Sequence, residues 1–347
     1  MNRVFNLHKI EPPSDTETQN LVLNPPEWAE HWNLFSLSPS TLKIPLSKFI
    51  LEKFIFDVED LKKSKKNVSA IYGSACGDLI NYVDVQGLSF EKILKEILNF
   101  IKQHKNFYEP IDFYKRDQYE TIFLDVYENI KNGFFKAQIN LKTCSTEQPI
   151  NLSLNDLEVN INGYTDFRTK DHVIELKTKW NRITKVKAKW QVQWILSNNE
   201  LSKQKKNFEH EKDADEFIKL KKTKCIKTFV EEHFKMSSAP IVHEPLINDV
   251  MQVALYAKAT QLKPILIYAT NSESYVFDEN NCELLNKDNL KKQINRARNL
   301  ALVRQNILKK TKTIKEIIEL VEPPDWESFY YDYGETIVNK GKKLWKM

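Results

Sequence analysis

The chain is short of glycine, with seven in 347 residues, and it has only four cysteines and four methionines. The cysteines, Cys76, Cys144, Cys225 and Cys282, show no C-x-x-C spacing, which argues against a zinc ribbon and a disulfide framework and for reduced thiols inside a cell. No window approaches eighteen uninterrupted apolar residues, and the first residues lack an apolar signal core. A soluble, cytoplasmic protein with no membrane partner is therefore expected. No internal repeat is visible. Scarce glycine beside abundant Lys and Asn reads as a compositional bias, yet it makes Gly73 and Gly77, four residues apart, conspicuous, either as close backbone approach at a helix start or as tight helix packing alone.

What is present is globular: 41% hydrophobic and 29% charged residues, enough length for a sizeable core, and a net charge of +5 that points only weakly to a polyanion. Residues 1–35, with Pro12-Pro13 and Pro25-Pro26, read as an irregular arm pinned to the body by Trp28 and Trp32. Ser38 and Pro39 form a helix start ahead of an apolar run from Ile50 to Phe56. Ser89 opens an amphipathic helix to about Gln103, and a second helix spans about Gln118 to Lys131, stopped at Asn132-Gly133. Strands follow over Phe134 to Leu141 and Asn151 to Leu157. Residues 197–240 read as a charged insertion of one or two surface helices. Leu246 to Gln261 is a clear helix, Pro264 to Ala269 and Ser274 to Phe277 are strands, and a long helix covers about Glu283 to Leu320 with a break near Thr311. Residues 321–347 form an aromatic and basic tail.

The stretch from Glu158 to Thr178 reads as a hairpin: a strand from Ile161 to Arg168, a turn, and a strand from His172 to Thr178. Side chains two apart on a strand share a face, so Glu175 and Lys177 point together, and Asp166 can lie across from them. Two carboxylates and an ammonium at the end of an apolar strand suit a hard-oxygen site for Mg²⁺ or Mn²⁺, with a cation left for a phosphate oxygen. Lys185 to Trp194 alternates a basic, hydrogen-bonding face (Lys185, Lys187, Lys189, Gln191, Gln193) with an apolar one. It reads either as an edge strand protected by lysines or as a ribbon that tracks phosphates. Gln252 and Tyr256, four apart, share one helix face. Arg296 lies among the basic residues of the long helix, a solvated face or the border of a nucleic-acid groove.

Three segments together, Gly163-Tyr164-Thr165-Asp166, Val173-Ile174-Glu175-Leu176-Lys177-Thr178 and Gln252-Val253-Ala254-Leu255-Tyr256, resemble the G-x-x-D, [DE]-x-K-T and Q-x-x-x-Y motifs of RecB-like PD-(D/E)XK nucleases. Leu37-Ser38-Pro39-Ser40 is similar to the L-S-x-S segment that opens many such domains. The resemblance covers about residues 36–305 and is greatest to exonucleases of marine T7-like phages. Gly77 stands where the family's G-x-x-x-H motif has histidine. The late cysteine cluster of the iron-sulfur subgroup is missing, so no such cluster is expected.

The resemblance implies an α/β fold with a restriction-endonuclease-like core, a central mixed β-sheet flanked by α-helices, and helical additions, over residues 36–320. It implies a Mg²⁺- or Mn²⁺-dependent DNA exonuclease of phage DNA degradation, replication or recombination, working in the host cytoplasm. Asp166, Glu175 and the Leu176 carbonyl would hold the metal, with Asp78 as a substitute for the missing histidine. Lys177 would activate water or stabilise charge, and Gln252 and Tyr256 would orient the strand and the lysine. Lys179, Lys185, Lys187, Lys189 and Arg296 would contact DNA, single- or double-stranded. A structure-specific endonuclease of the same fold and a non-catalytic nucleic-acid-binding protein are the alternatives.

Overall fold

The computed structural model describes residues 25–346 apart from 64–66, 105, 106, 108, 222 and 332. The elements run α1 (Glu27–His31), β1 (Ser36–Leu37), α2 (Pro39–Leu42), α3 (Leu46–Ile50) with a π-helical continuation to Ile55, and α4 (Val58–Lys63). Next come α5 (Val68–Leu79), also prolonged as a π-helical turn (Ile80–Val85), α6 (Phe90–Lys102), α7 (Pro110–Lys136), β2 (Ser145–Leu152), β3 (Asn160–Arg168) and β4 (His172–Thr178). An appendage contains β5 (Arg182–Val186), β6 (Lys189–Ile195), β7 (Leu201–Phe208), α8 (Glu211–Leu220), β8 (Cys225–Val230) and β9 (His233–Ser237). The chain closes with α9 (Ile247–Thr260), β10 (Lys263–Ala269), β11 (Ser274–Phe277), α10 (Lys287–Lys310), α11 (Ile314–Leu320) and α12 (Glu335–Leu344).

The fold is mixed α/β, with a six-stranded mixed sheet ordered β1-β3-β4-β10-β11 and β2 on the far edge of β3. β1 is parallel to β3 and β4 to β10, and the remaining pairs are antiparallel. Ile161 pairs with both Leu37 and Leu152, and Arg168 with both Ser145 and Val173, so β1 and β4 share one edge of β3 at its two ends. Between those ends, Asn162 to Asp166 have no strand on that edge among the described residues, and β3 and β4 fork apart after Phe167↔Ile174. The candidate site lies at this fork.

Strand alternation sends Ile174 to one face, where it packs with Tyr72, Cys76 and Leu79 of α5 and Phe123, Val126 and Ile130 of α7. Val173 goes to the other face, against Val250, Val253 and Tyr256 of α9. Behind α9, helix α10 packs its buried Ala297, Ala301 and Leu308 among Trp28, Leu37, Leu42 and Phe49.

Several expectations need correction. Helix α7 does not stop at Asn132-Gly133: Gly133 is a contact glycine, since a Cβ there would meet Ile267 Cγ2 at 2.6 Å. The strand expected over Phe134 to Leu141 is the last turn of α7 and a short 3₁₀ turn, and β2 begins earlier than expected, at Ser145. The N-terminal 25–35 portion is less irregular than expected, because α1 is helical; Trp28 does pin it, donating to Glu158 Oε2 at 2.6 Å, as does Trp32 to the Leu308 carbonyl at 3.0 Å. Residues 1–24 of the expected arm lie outside the described residues.

The appendage differs most. Lys185 to Trp194 is not one strand: it breaks at Lys187-Ala188 into β5, which pairs with β9, and β6, which is the middle of a β7-β6-β8 sheet. The expected helices of 197–240 are one helix and three strands. Lys203 to Phe208 is almost wholly polar and Cys225 to Val230 carries one lysine, so neither shows a clean period of two, and both are strands because they pair with the two edges of β6, on which α8 packs.

Candidate active site

The alternation that buries Val173 also carries Glu175 and Lys177 to the α9 face. Glu175 is 0% exposed, and Lys177 lies beside it with its ammonium donating to Glu175 Oε1. Continuing the β3–β4 register places Asp166 across from Glu175. The ladder has ended there, and Asp166 Oδ2 accepts the Leu176 amide at 2.8 Å in place of a backbone carbonyl. On the far edge, Glu147 of β2 stands opposite Asp166 with φ 49°, a left-handed kink in the strand. Across this kink β3 changes face: Gly163 faces Pro39 and Tyr256, whereas Phe167 packs with Ile174 and Ile267. Gly163 allows the close approach expected of it, since a Cβ would sit 3.1 Å from Pro39 Cδ and 3.8 Å from the Tyr256 ring.

Helix α9 brings the third motif. Gln252 Nε2 donates to the Tyr256 hydroxyl at 2.8 Å, as four-residue spacing on one face requires, and both side chains are buried. Three further groups join them: Asp249, which the sequence shows as a polar group of this helix without a role, and Lys43 and Tyr268, which sequence reasoning missed. Lys43 Nζ donates to Gln252 Oε1 at 2.6 Å and to Asp249 Oδ1 at 2.9 Å. The other Asp249 oxygen accepts from the Tyr268 hydroxyl at 2.8 Å, and that hydroxyl accepts the Leu246 amide at 3.1 Å. Lys43 is held in place because α2 is clamped: Ser38 caps it, and Arg304 donates to the Thr41 and Ile44 carbonyls at 3.0 and 2.9 Å. The available signals were the position of Asp249, one turn before Gln252, and of Lys43, directly after the segment opened by Leu37 and Ser38.

Burial first, and then the adjacent Asp166 carboxylate, push Glu175 up to about 7 against the pull of Lys177 and Lys43. Burial also raises Asp166, in spite of Lys177, the Leu176 amide and Lys43. Burial would depress Lys177, but Glu175, Asp166 and Asp249 outweigh it and hold the ammonium charged well above its ordinary value. Tyr256 is raised by burial and by the two carboxylates, so its phenol is neutral. For Asp249, burial is outweighed by Lys177, Lys43 and Tyr268, and its carboxyl lies below the ordinary value.

Glu175 Oε2 is a buried oxygen with no hydrogen-bond partner among the described residues. A buried carboxyl oxygen without a hydrogen-bond partner beside a second carboxyl fits a hard cation that would displace its proton. Among the described residues no three His, Cys, Asp or Glu side chains converge as a metal site.

Asp78 is not brought into this set. Its helix α5 packs on the Ile174 face, opposite Glu175 and Lys177, and the charge it senses is that of Glu147, which with burial raises it to about 7. Lys179 does join the site: its ammonium lies 5.3 Å from the Tyr268 ring centroid, and burial, then Lys177 and Lys43, depress it against Asp249. Arg296 reaches only the start of α9, donating to Asn248 Oδ1 at 3.0 Å. Lys185, Lys187 and Lys189 lie on the appendage; Lys185 pairs with Glu232 at 2.8 Å, and Lys187 is exposed at the break between strands. No helix among the described residues is long and apolar enough to cross a membrane.

No family model and no curated protein matches the chain. A solved protein described as "Crystal structure of SSO0001" is 16% identical to it, with 82% of this chain and 94% of that chain covered at a TM-score of 0.25. A likeness that slight carries no argument.

Proposed function

We propose that the chain is a Mg²⁺- or Mn²⁺-dependent deoxyribonuclease of the RecB-like PD-(D/E)XK type, acting as an exonuclease. The observation that carries this reading is the buried Glu175, whose Oε2 has no hydrogen-bond partner among the described residues, next to the Asp166 carboxyl at the strand fork, with a charged lysine alongside. Asp166, Glu175 and the Leu176 carbonyl would hold the ion, which when bound would supply Lewis acidity and a more acidic water. Lys177, held as an ammonium by Glu175, Asp166 and Asp249, neutralises charge that builds on the phosphate oxygens. Gln252 fixes the neutral Tyr256 hydroxyl over the two carboxylates. Hydrolysis of a phosphodiester needs mainly positioning and charge neutralisation, and these groups provide both.

End-labelled single- and double-stranded oligonucleotides incubated with Mg²⁺, Mn²⁺ or EDTA test the proposal. Metal-dependent release of short products is expected. Cleavage of covalently closed circular DNA would replace the exonuclease with a structure-specific endonuclease. Salt-sensitive binding without cleavage in either metal would leave a nucleic-acid-binding protein.

A further inference from the structure

Asp249 has surroundings that an ordinary helix carboxylate does not. It is 6% exposed, one oxygen is held by Lys43 at 2.9 Å and the other by the Tyr268 hydroxyl at 2.8 Å. Its charge acts on Lys177 and Lys179 as well. Three lysines from two separate segments thus act on one carboxylate: Lys43 after α2, in contact with it, and Lys177 at the end of β4 with Lys179 just beyond it, through their charge. Lys43 in turn acts electrostatically on Asp166 and Glu175, so the ring borders the carboxylate pair. Lys43 and Lys177 remain about a quarter exposed or less at the side chain, at 21% and 26%, so the ring is partly sheltered and still open to solvent. A cradle of ammonium groups and a phenol donor is built for a tetrahedral oxyanion.

We propose that Lys43, with Lys177 and Lys179, forms a phosphate-binding site for a nucleic-acid backbone, and that Asp249 occupies the anion's place in the free protein. This rests on the nuclease reading, which it deepens by naming the groups that receive the phosphodiester next to the one hydrolysed. Lys43 is then a binding residue, and Asp249 an internal competitor that keeps the three ammonium groups apart from stray anions and in position. A salt bridge that merely ties α2 to α9 would behave in the opposite way at Asp249, because loss of either partner would weaken everything that depends on the fold.

The test is equilibrium binding of a labelled single-stranded oligonucleotide in EDTA, across a range of KCl, to the full chain and to Lys43→Gln, Lys43→Arg and Asp249→Asn. Lys43→Gln is expected to bind more weakly, with the slope of log K against log salt reduced by about 0.7. Lys43→Arg should keep the slope, and Asp249→Asn should bind more tightly than the wild type. An unchanged slope in Lys43→Gln, or weaker binding by a folded Asp249→Asn, overturns the assignment while leaving the nuclease reading intact. Should Lys43→Gln fail to fold by circular dichroism, the direction of the Asp249→Asn change decides. A wild type that binds no DNA at any salt overturns both.

Discussion

Two places among the described residues combine a buried carboxyl that has an unsatisfied oxygen with a second carboxyl nearby. At the β3–β4 fork, Asp166 and Glu175 face α9, and Glu175 Oε2 is bare; on the α5 side, Asp78 lies near Glu147 and Asp78 Oδ2 is bare. Burial drives Glu175 and Asp78 to the same value, about 7. The difference is the company. Lys43 and Lys177 act on the first pair, with the Leu176 amide and a tethered tyrosine beside them, whereas the charge acting on Asp78 is another carboxylate. The two acids therefore hold their protons alike, and what sets the fork apart is the cations beside it, which can neutralise a bound anion.

The largest expected contrast is in catalysis. Lys177→Ala or Asp166→Ala should abolish Mg²⁺-dependent digestion, Asp166→Ala with DNA binding in EDTA retained and Lys177→Ala with that binding weakened but present, while Asp78→Asn should digest within about twofold of the wild type, since Asp78 touches neither the substrate lysines nor Glu175. Full activity in Lys177→Ala would sink the functional assignment. Loss of activity in Asp78→Asn, with a normal melting temperature, would restore it as a ligand.

A pH series separates the pairs next. Glu175 must be ionised to hold a cation, and its value of about 7 sets the window. Digestion at subsaturating Mg²⁺ should rise about tenfold per pH unit below 7 and level off above it. A flat profile from pH 5.5 to 8 would show that Glu175 is not titrating in that range.

The reverse sign applies to stability at Asp78. The folded protein keeps the Asp78 proton up to about 7, whereas an unfolded chain releases it near 3.8. Between those values the folded state binds more protons, so this group's contribution is full at low pH and lost as pH rises to 7. Asp78→Asn removes that loss. It should raise stability by up to about 4 kcal/mol at pH 8 and leave it nearly unchanged at pH 4, as read by urea denaturation.

How much of this was legible in the sequence follows the range of the interactions. β4 and β11 are found where local alternation placed them, and α9 and β10 within a residue, because apolar periodicity and breaker residues act over a few positions. Asp166, Glu175, Lys177, Gln252 and Tyr256 do converge, which the motif order anticipated. Lys43 did not stand out because its partners are 206 and 209 residues away, and nothing local marks a lysine after a one-turn helix. The appendage was misread for the opposite reason: Lys187 and Ala188 continue the period of two, and only the change of partner strand from β9 to β7 and β8 breaks the ribbon. Asp78 was placed by its neighbour in sequence, but α5 packs on the Ile174 face of β4.

The smallest expected effects come from the two glycines of α5, and they test where the helix touches the site. A Cβ at Gly73 would stand 2.6 Å from Thr178 Oγ1, next to the strand end that bears Lys177, whereas a Cβ at Gly77 would meet nothing within 4 Å. Alanine in a helix interior gains about 0.5–1 kcal/mol over glycine when space is open. Gly77→Ala should therefore stabilise by about that amount and leave digestion unaltered. Gly73→Ala must move Thr178 or the helix, so its helical gain is offset and the end of β4 shifts; a lower melting temperature and a several-fold slower digestion are expected. Equal behaviour of the two variants would mean that α5 does not press on β4 at Gly73, and that the position of Lys177 is set from the α9 side alone.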